Sequence, residues 1–203
     1  MSYIFAETAG QPNGPLVFTF HGTGGDERQF HAAASQLMPG AHVISPRGDV
    51  SEFGANRFFR RTGEGVYDMV DLTKRSAAMS AFIEAKIEQI QPSSVLGFGY
   101  SNGANILASV LLKAPHLFDA AALLHPLIPW TPAAQIGLSG KRILVTAGRA
   151  DPICPAPQTE AFLRYLETQK VKVTEFWHPG GHDLRPGEVE ALTRFLNLEG
   201  AKI

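Results

Sequence analysis

The chain predicts an α/β fold: an open, mostly parallel sheet of about six or seven strands with helices on both faces. Two observations lead there. Short runs rich in β-branched and aromatic residues alternate with patterns of helical period. Most of those runs are continuously apolar, as strands covered on both sides require. A third observation agrees with them. Residues able to do chemistry sit just after the runs, at the edge where such sheets bind ligands.

A weak edge-strand pattern, Tyr3–Glu7, comes first, and Pro15–Phe20 is the first clear strand. Asp26 and Gln29 have capping-box spacing, and Phe30, Ala34 and Leu37 give the following helix one apolar face. His42–Ser45 is the second strand. The stretch 48–65, GDVSEFGANRFFRRTGEG, is longer than most loops, which marks it as a working loop. Met79, Phe82, Ile83, Ile87 and Ile90 mark a long helix that stops before Pro92. Ser94–Phe98 is the third strand. The next helix carries Ile106, Leu107, Val110 and Leu111 and closes at Pro115. Ala120–Leu124, Arg142–Ala147 and Lys172–Trp177 complete the strands. Phe162, Tyr165 and Leu166 mark a helix between the last two. Pro186 suits a first helical turn, with Val189, Leu192, Phe195 and Leu196 lining the last helix. The alternation implies right-handed crossovers within a single domain, 1–203.

Composition sets limits. With 44% hydrophobic and 18% charged residues, the chain can bury a core without staples. Its one cysteine, Cys154, rules out an intrachain disulfide framework and suits a reducing compartment. A net charge of −1 makes no case for nucleic acid or an anionic membrane. No apolar run is long enough for a membrane span, and the N-terminus lacks signal-peptide features, so the expected location is cytoplasmic.

The chemistry-bearing segments follow the strands in turn: HGTGGDE, PRGD, GYSNG, HPLIPW, GRADPICP and HPGGHD. Gly99-Tyr100-Ser101-Asn102-Gly103 fits G-x-S-x-G, with a strand before it and a helix after. A serine raised on so sharp a turn has strained backbone angles, and its glycine neighbours avoid Cβ collisions. Ser101 also opens a helix, where free N–H groups favour developing negative charge. A hydroxyl is a weak nucleophile and needs a base, which in turn needs an orienting group. His182 and Asp151 supply both, in the order Ser…Asp…His. Asp183 is the rival acid, but side chains adjacent in sequence tend to point apart. His178 and His182 have the spacing of a metal pair on a helix, yet Pro179-Gly180-Gly181 opposes a helix there, so no metal is expected. His21 and His125 read as structural histidines, and Cys154 as an inert buried thiol.

An oxyanion hole is the third requirement. One N–H is expected from Asn102. The other is expected from Thr23 in HGTGG, with Gly22 and Gly24 as alternatives. That loop lacks the lysine of a phosphate loop.

These segments resemble an α/β-hydrolase of the small carboxylesterase/phospholipase group, which includes acyl-protein thioesterases. HGTGGDE, GYSNGAN, GRADPICP and PGGHDL occur in the expected order across nearly the whole chain. Residues 45–72, from SPRGD to VDL, look closer still to a bacterial subgroup that includes hydroquinone-specific hydrolases. The resemblance implies a serine esterase without a cofactor, acting on small ester substrates, and a possible homodimer. Dienelactone hydrolases, a sister group in this reading, carry a cysteine where this chain has Ser101.

The span 126–141 has no room for a large cap domain, so the site should be open, as small soluble esters require. Leu127, Ile128 and Trp130, with Phe58 and Phe59, are candidates for an apolar wall, although Trp130 equally suits packing beside Pro129. Arg57, Arg60 and Arg61 can attract an anionic substrate. Local pairing with Glu64, Asp68 or Asp71 competes with that role.

Overall fold

The computed structural model describes residues 3–200. In chain order the elements are β1 (Phe5–Thr8), β2 (Leu16–Phe20), α1 (His31–Leu37), β3 (His42–Pro46), β4 (Val50–Glu52), β5 (Ala55–Arg57), β6 (Arg61–Gly63) and β7 (Val66–Tyr67). Then follow α2 (Met69–Ile90), β8 (Val95–Tyr100), α3 (Asn102–Lys113), β9 (Ala120–Leu124), β10 (Arg142–Gly148), α4 (Ala156–Thr168), β11 (Lys172–His178) and α5 (Pro186–Gly200). Seven strands form one sheet in the order β1-β3-β2-β8-β9-β10-β11. All pair in parallel except β1, which lies antiparallel on β3. This is the α/β-hydrolase architecture the sequence led us to expect, without a large cap. Only loop and one 3-10 turn, Ile136–Leu138, separate β9 from β10.

Alternation along the strands divides the core in two. Leu16, Phe18 and Phe20 of β2, with Ala121 and Leu123 of β9, face α2, α3 and α4. Val17, Leu96, Phe98, Ala122 and Leu124 face α1 and α5. The third helix, α3, is buried along almost its whole length beneath the sheet centre, from Asn102 to Leu111. Gly97 leaves room there for the Phe118 ring, because a Cβ at Gly97 would come within 2.7 Å of it. Phe118 also meets Phe18 edge-on.

Helix ends follow local chemistry. Asp68 caps α2 by accepting from the N–H groups of Val70 and Asp71. That helix ends at Gln91 in the left-handed conformation, just before Pro92. The capping box expected at Asp26 and Gln29 does not form. Residues 27–30 are turn, α1 starts only at His31, and the Gln29 amide oxygen accepts instead from the Gly22 N–H at 2.8 Å. On α5, Val189 is half exposed, and it is Glu188, four residues before Leu192, that points inward.

The long loop after β3 folds into two small hairpins, β4–β5 and β6–β7, outside the main sheet. Phe58 and Phe59 anchor them. Both are fully buried, Phe58 against Phe20 and His21, Phe59 against Tyr67. They belong to the core and form no wall of a site.

Truncating Phe118 removes a ring that fills the Gly97 gap. Phe118→Ala is expected to cost about 3–5 kcal/mol in urea unfolding. A loss below about 1 kcal/mol would contradict this packing.

Candidate active site

Strand order reverses between β2 and β8, so the loops after these two strands flank a crevice. Ser101 stands there, between β8 and α3, with φ 53° and ψ −117°. A non-glycine residue held at such angles costs on the order of 1–3 kcal/mol. The flanking glycines let the turn exist. A Cβ at Gly103 would lie 2.2 Å from the Phe20 carbonyl oxygen, and one at Gly99 would lie 2.6 Å from the Gly103 carbonyl. The start of α3 is thus pressed against the end of β2. The Ser101 N–H donates to Leu124 O at 2.9 Å, and Ser101 O accepts from the Asn105 N–H at 2.9 Å.

The three side chains singled out from the sequence come together. His182 Nε2 lies 2.8 Å from Ser101 Oγ, and His182 Nδ1 lies 2.7 Å from Asp151 Oδ2. Asp151 Oδ1 accepts from the N–H groups of Ile153 (2.8 Å) and Cys154 (2.9 Å). Burial pushes the Asp151 carboxyl up, but the Cys154 N–H, His125 and His182 outweigh it and hold it below the usual range. An ionised Asp151 accepts from Nδ1–H, which leaves Nε2 to accept from the Ser101 hydroxyl. Both ring nitrogens are then engaged, and neither faces Asp183.

Two residues the sequence did not reveal place His182. Tyr100 donates its hydroxyl to His182 O at 2.8 Å, and its ring lies against the imidazole. Gly148 lets the 180–183 loop approach β10, since a Cβ there would sit 2.2 Å from Gly181 O.

The loop after β2 is held at several points. His21 Nδ1 contacts Gly22 O at 2.7 Å and Nε2 accepts from the Gly48 N–H at 2.9 Å, so its proton sits on Nδ1. Burial lowers its pKa and keeps it neutral. His21 therefore does hold its loop. Arg57, buried, donates to Thr23 Oγ1 at 2.8 Å. Burial, then the neighbouring Arg61, pull the Arg57 pKa down. Arg47 grips Glu27 and holds its carboxyl down at about 2. The Thr23 N–H has no acceptor among the described residues. The Asn102 N–H is one of those at the start of α3 that a helix leaves unpaired.

A cavity of about 310 Å³ opens beside Ser101. Thr23, Asn102, Leu127 and Arg61 line it, together with Tyr67, Asn105 and Ile153. Three expected contacts lie elsewhere. Trp130 packs edge-on against Tyr67 and faces a separate groove with Met69 and Leu72, so Tyr67 takes the place foreseen for it. Ile128 is buried in the core. Arg60, just before β6, does not line the cavity and lies in an outer groove with Val50 and Phe53, a groove that Arg61 also borders. Local pairing holds Arg57 and Arg61, with Glu52 rather than Glu64, Asp68 or Asp71. Arg61 Nε contacts both Glu52 oxygens at 3.0 Å, and Arg57 lies 3.6 Å from Glu52. Asp71 instead accepts from the Arg60 backbone N–H.

Cys154 is buried, and burial raises its thiol pKa well above the ordinary range, as suits an inert cysteine. His125 is fully buried behind Asp151, with Glu188 and His178 beyond it. The His125–His178–Glu188 group has metal-compatible spacing. However, the Gly180 N–H donates to His178 Nδ1 at 3.1 Å, so that ring's proton is on Nε2, the atom a metal would need free.

Fold and site geometry together define an α/β-hydrolase. The family model for the dienelactone hydrolase family matches residues 12–183, and the chain belongs to that family. The sister-group distinction drawn from the sequence therefore reduces to the serine, Ser101, in place of a cysteine. The protein named "Putative hydrolase MhqD" of Bacillus subtilis (strain 168) is 36% identical over 177 residues, covering 86% of this chain and 88% of its own. Among solved structures, a protein of unknown function from Agrobacterium tumefaciens strain C58 is 51% identical with a TM-score of 0.91, covering 97% of this chain and 96% of that one. The Bacillus cereus carboxylesterase is 34% identical with a TM-score of 0.88, covering 97% and 94%.

Gly103→Ala is expected to cost roughly 2–4 kcal/mol in denaturant unfolding, because the methyl meets backbone that has no room to move. Parent-like stability would show that α3 does not abut β2. The Glu27–Arg47 pair sets a pH window. Its contribution is complete above the ordinary Glu value of 4.5 and fades as pH falls toward about 2. Wild type should lose its stability advantage over Glu27→Gln across that window in thermal melts, and an advantage constant with pH would refute the pairing.

Proposed function

We propose that this protein is a serine carboxylesterase that cleaves small soluble esters through an acyl-enzyme on Ser101. The observation that carries the reading is the continuous hydrogen-bonded line Ser101 Oγ–His182–Asp151, at 2.8 and 2.7 Å, on a strained turn beside a cavity. In this mechanism Ser101 Oγ attacks the ester carbonyl as His182 takes its proton. Asp151 keeps the ring in the required tautomer and stabilises the imidazolium. The N–H groups of Asn102 and Thr23 receive the negative charge on the former carbonyl oxygen. His182 then gives the proton to the leaving alcohol. Water, activated by the same imidazole, attacks the acyl-enzyme and restores Ser101. No step in this scheme calls on a cofactor.

The Bacillus cereus carboxylesterase, similar along nearly its whole length, supports an ester substrate. The cavity's size and its polar lining of Asn105, Tyr67, Arg61 and Glu64 favour short acyl groups over long chains. Thioesters, lysophospholipids or peptides handled by the same triad are the alternative substrates. A non-catalytic binding domain is the alternative of another class. Against it stands the energy stored in the Ser101 turn, which a binding surface does not need.

Fluorophosphonate should label wild type and not Ser101→Ala, and only wild type should turn over p-nitrophenyl acetate or butyrate. Asp151→Asn should lower kcat by roughly 10²–10⁴-fold with KM little changed. Equal turnover by wild type and a folded Ser101→Ala would reject the nucleophile, and unchanged kinetics in Asp151→Asn would reject the acid.

A further inference from the structure

The carboxylate of Asp151 does not end the hydrogen-bonded line. Its Oδ2 also meets His125 Nδ1 at 2.8 Å. The other nitrogen of that ring, Nε2, lies 3.0 Å from Glu188 Oε1. His125 and Glu188 have no solvent exposure at all, and Asp151 very little. Glu188 reaches this spot from the inward face of α5, where Ala191 and Leu192 are the next inward positions. An acid on an apolar helix face is rare unless its charge is answered.

The donors around the two carboxylates fix where the protons are. Asp151 accepts from the Ile153 and Cys154 N–H groups, from His182 and from His125. Glu188 accepts from the Thr146 hydroxyl at 2.6 Å and the Arg185 N–H at 2.7 Å, with the protonated His178 Nε2 at 3.3 Å. Both acids are therefore surrounded by donors, which favours their ionised forms. Two ionised acids facing opposite nitrogens of one imidazole require a proton on each nitrogen. His178 Nε2 carries a proton and lies 3.4 Å from His125 Nε2, but Glu188 is nearer to both rings, 3.0 Å from His125 Nε2 and 3.3 Å from His178 Nε2, and as an ionised acceptor it draws a proton from each. Burial disfavours the charge on His125, but Glu188 and then Asp151 outweigh it and raise its pKa, in agreement with the geometry.

We propose that His125 is a permanent imidazolium clamped between Asp151 and Glu188, and that this His125–Glu188 pair is a positioning unit which restrains the basicity of Asp151. The proposal rests on the serine-hydrolase reading for its kinetic consequence, but not for its protonation state. His125 donates to the same oxygen that His182 uses. It thus fixes that oxygen from the side and places a positive charge behind the Asp151–His182 pair. A positive charge there opposes a second one on His182. The other titratable groups around His125 are His178 at the end of β11, His182, the Tyr100 ring at the end of β8 and the Cys154 thiol, which donates to His125 O. Burial raises Tyr100 to about 12 and raises the thiol further, so neither charges in the working range.

Glu188→Gln tests the unit with little change of shape. With its amide nitrogen toward His125 and Thr146, and its oxygen toward Arg185 N–H and His178, a Gln satisfies every neighbour once His125 gives up its Nε2 proton. The ¹⁵N spectrum of histidine-labelled protein reads this without any substrate. In wild type, near pH 8, one buried ring should carry protons on both nitrogens and should be absent from spectra of His125→Gln. In Glu188→Gln the same ring should carry one. For kinetics, the acid limb of kcat/KM for p-nitrophenyl acetate should move up by about one pH unit in Glu188→Gln. A wild-type ring with one proton would overturn the proposal, whatever the activity. So would a Glu188→Gln enzyme that loses rate at every pH with its acid limb unmoved, since that is the mark of a merely structural residue. Absence of Ser101-dependent turnover in wild type would instead defeat the hydrolase reading and leave the spectral result standing.

Discussion

The close approach between the start of α3 and the end of β2 is the constraint on which the rest of the molecule depends. Backbone meets backbone there, with no side chain between. Gly103 makes the contact possible, and the turn before it must then adopt the left-handed angles seen at Ser101. The energy of that turn is met by the burial of α3 beneath the sheet. The same approach brings the helix N-terminus beside the loop after β2, so the strained residue, the unpaired N–H groups and the cavity share one place. Sheet topology, helix packing and site geometry follow from one contact that only glycine permits.

Electrostatics imposes a second order on the fold. The edge of the sheet near β10 and β11 buries two carboxylates and several imidazoles, an arrangement that would be costly were any member left unpaired. Each acid instead collects backbone and ring donors, and Glu188 a hydroxyl as well. The elements that supply them are distant in sequence: the turn after β10, the ends of β9 and β11, and the first turn of α5. Ion pairing therefore ties α5 to the active edge, whereas its lower half is held by ordinary apolar packing through Leu192, Phe195 and Leu196.

Much of this was legible in the sequence, for physical reasons that also explain the exceptions. Continuous apolar runs identified the parallel strands because burial on both faces leaves no polar period. Gly-x-Ser-x-Gly was informative because its glycines answer steric demands that a single turn imposes. Asp151 and His182 could be placed because strand ends converge. The failures share a cause. Gln29 has cap spacing, but spacing alone does not say which N–H an amide will reach. Trp130 and Arg60 lie on loops, whose side chains have no period to reveal their direction. Tyr67 lies in a hairpin with too few residues to alternate. Glu188 carries its signal in helical phase, four positions before Leu192, although an acid ordinarily faces solvent.

The two hairpins between β3 and α2 make no ladder with the main sheet, yet Arg57, Arg61, Glu64 and Tyr67 from them line the cavity. In a hydrolase without a cap domain, that short segment serves as the roof. Its grip on the body lies in a few inward anchors, Phe58 and Phe59 above all, while Phe53 and Val66 face solvent. Cavity lining and anchoring thereby fall to different residues of the same twenty-residue stretch. Varying Arg61 and Glu64 while keeping Phe58 and Phe59 reshapes the cavity without touching the framework that holds the Ser101 turn.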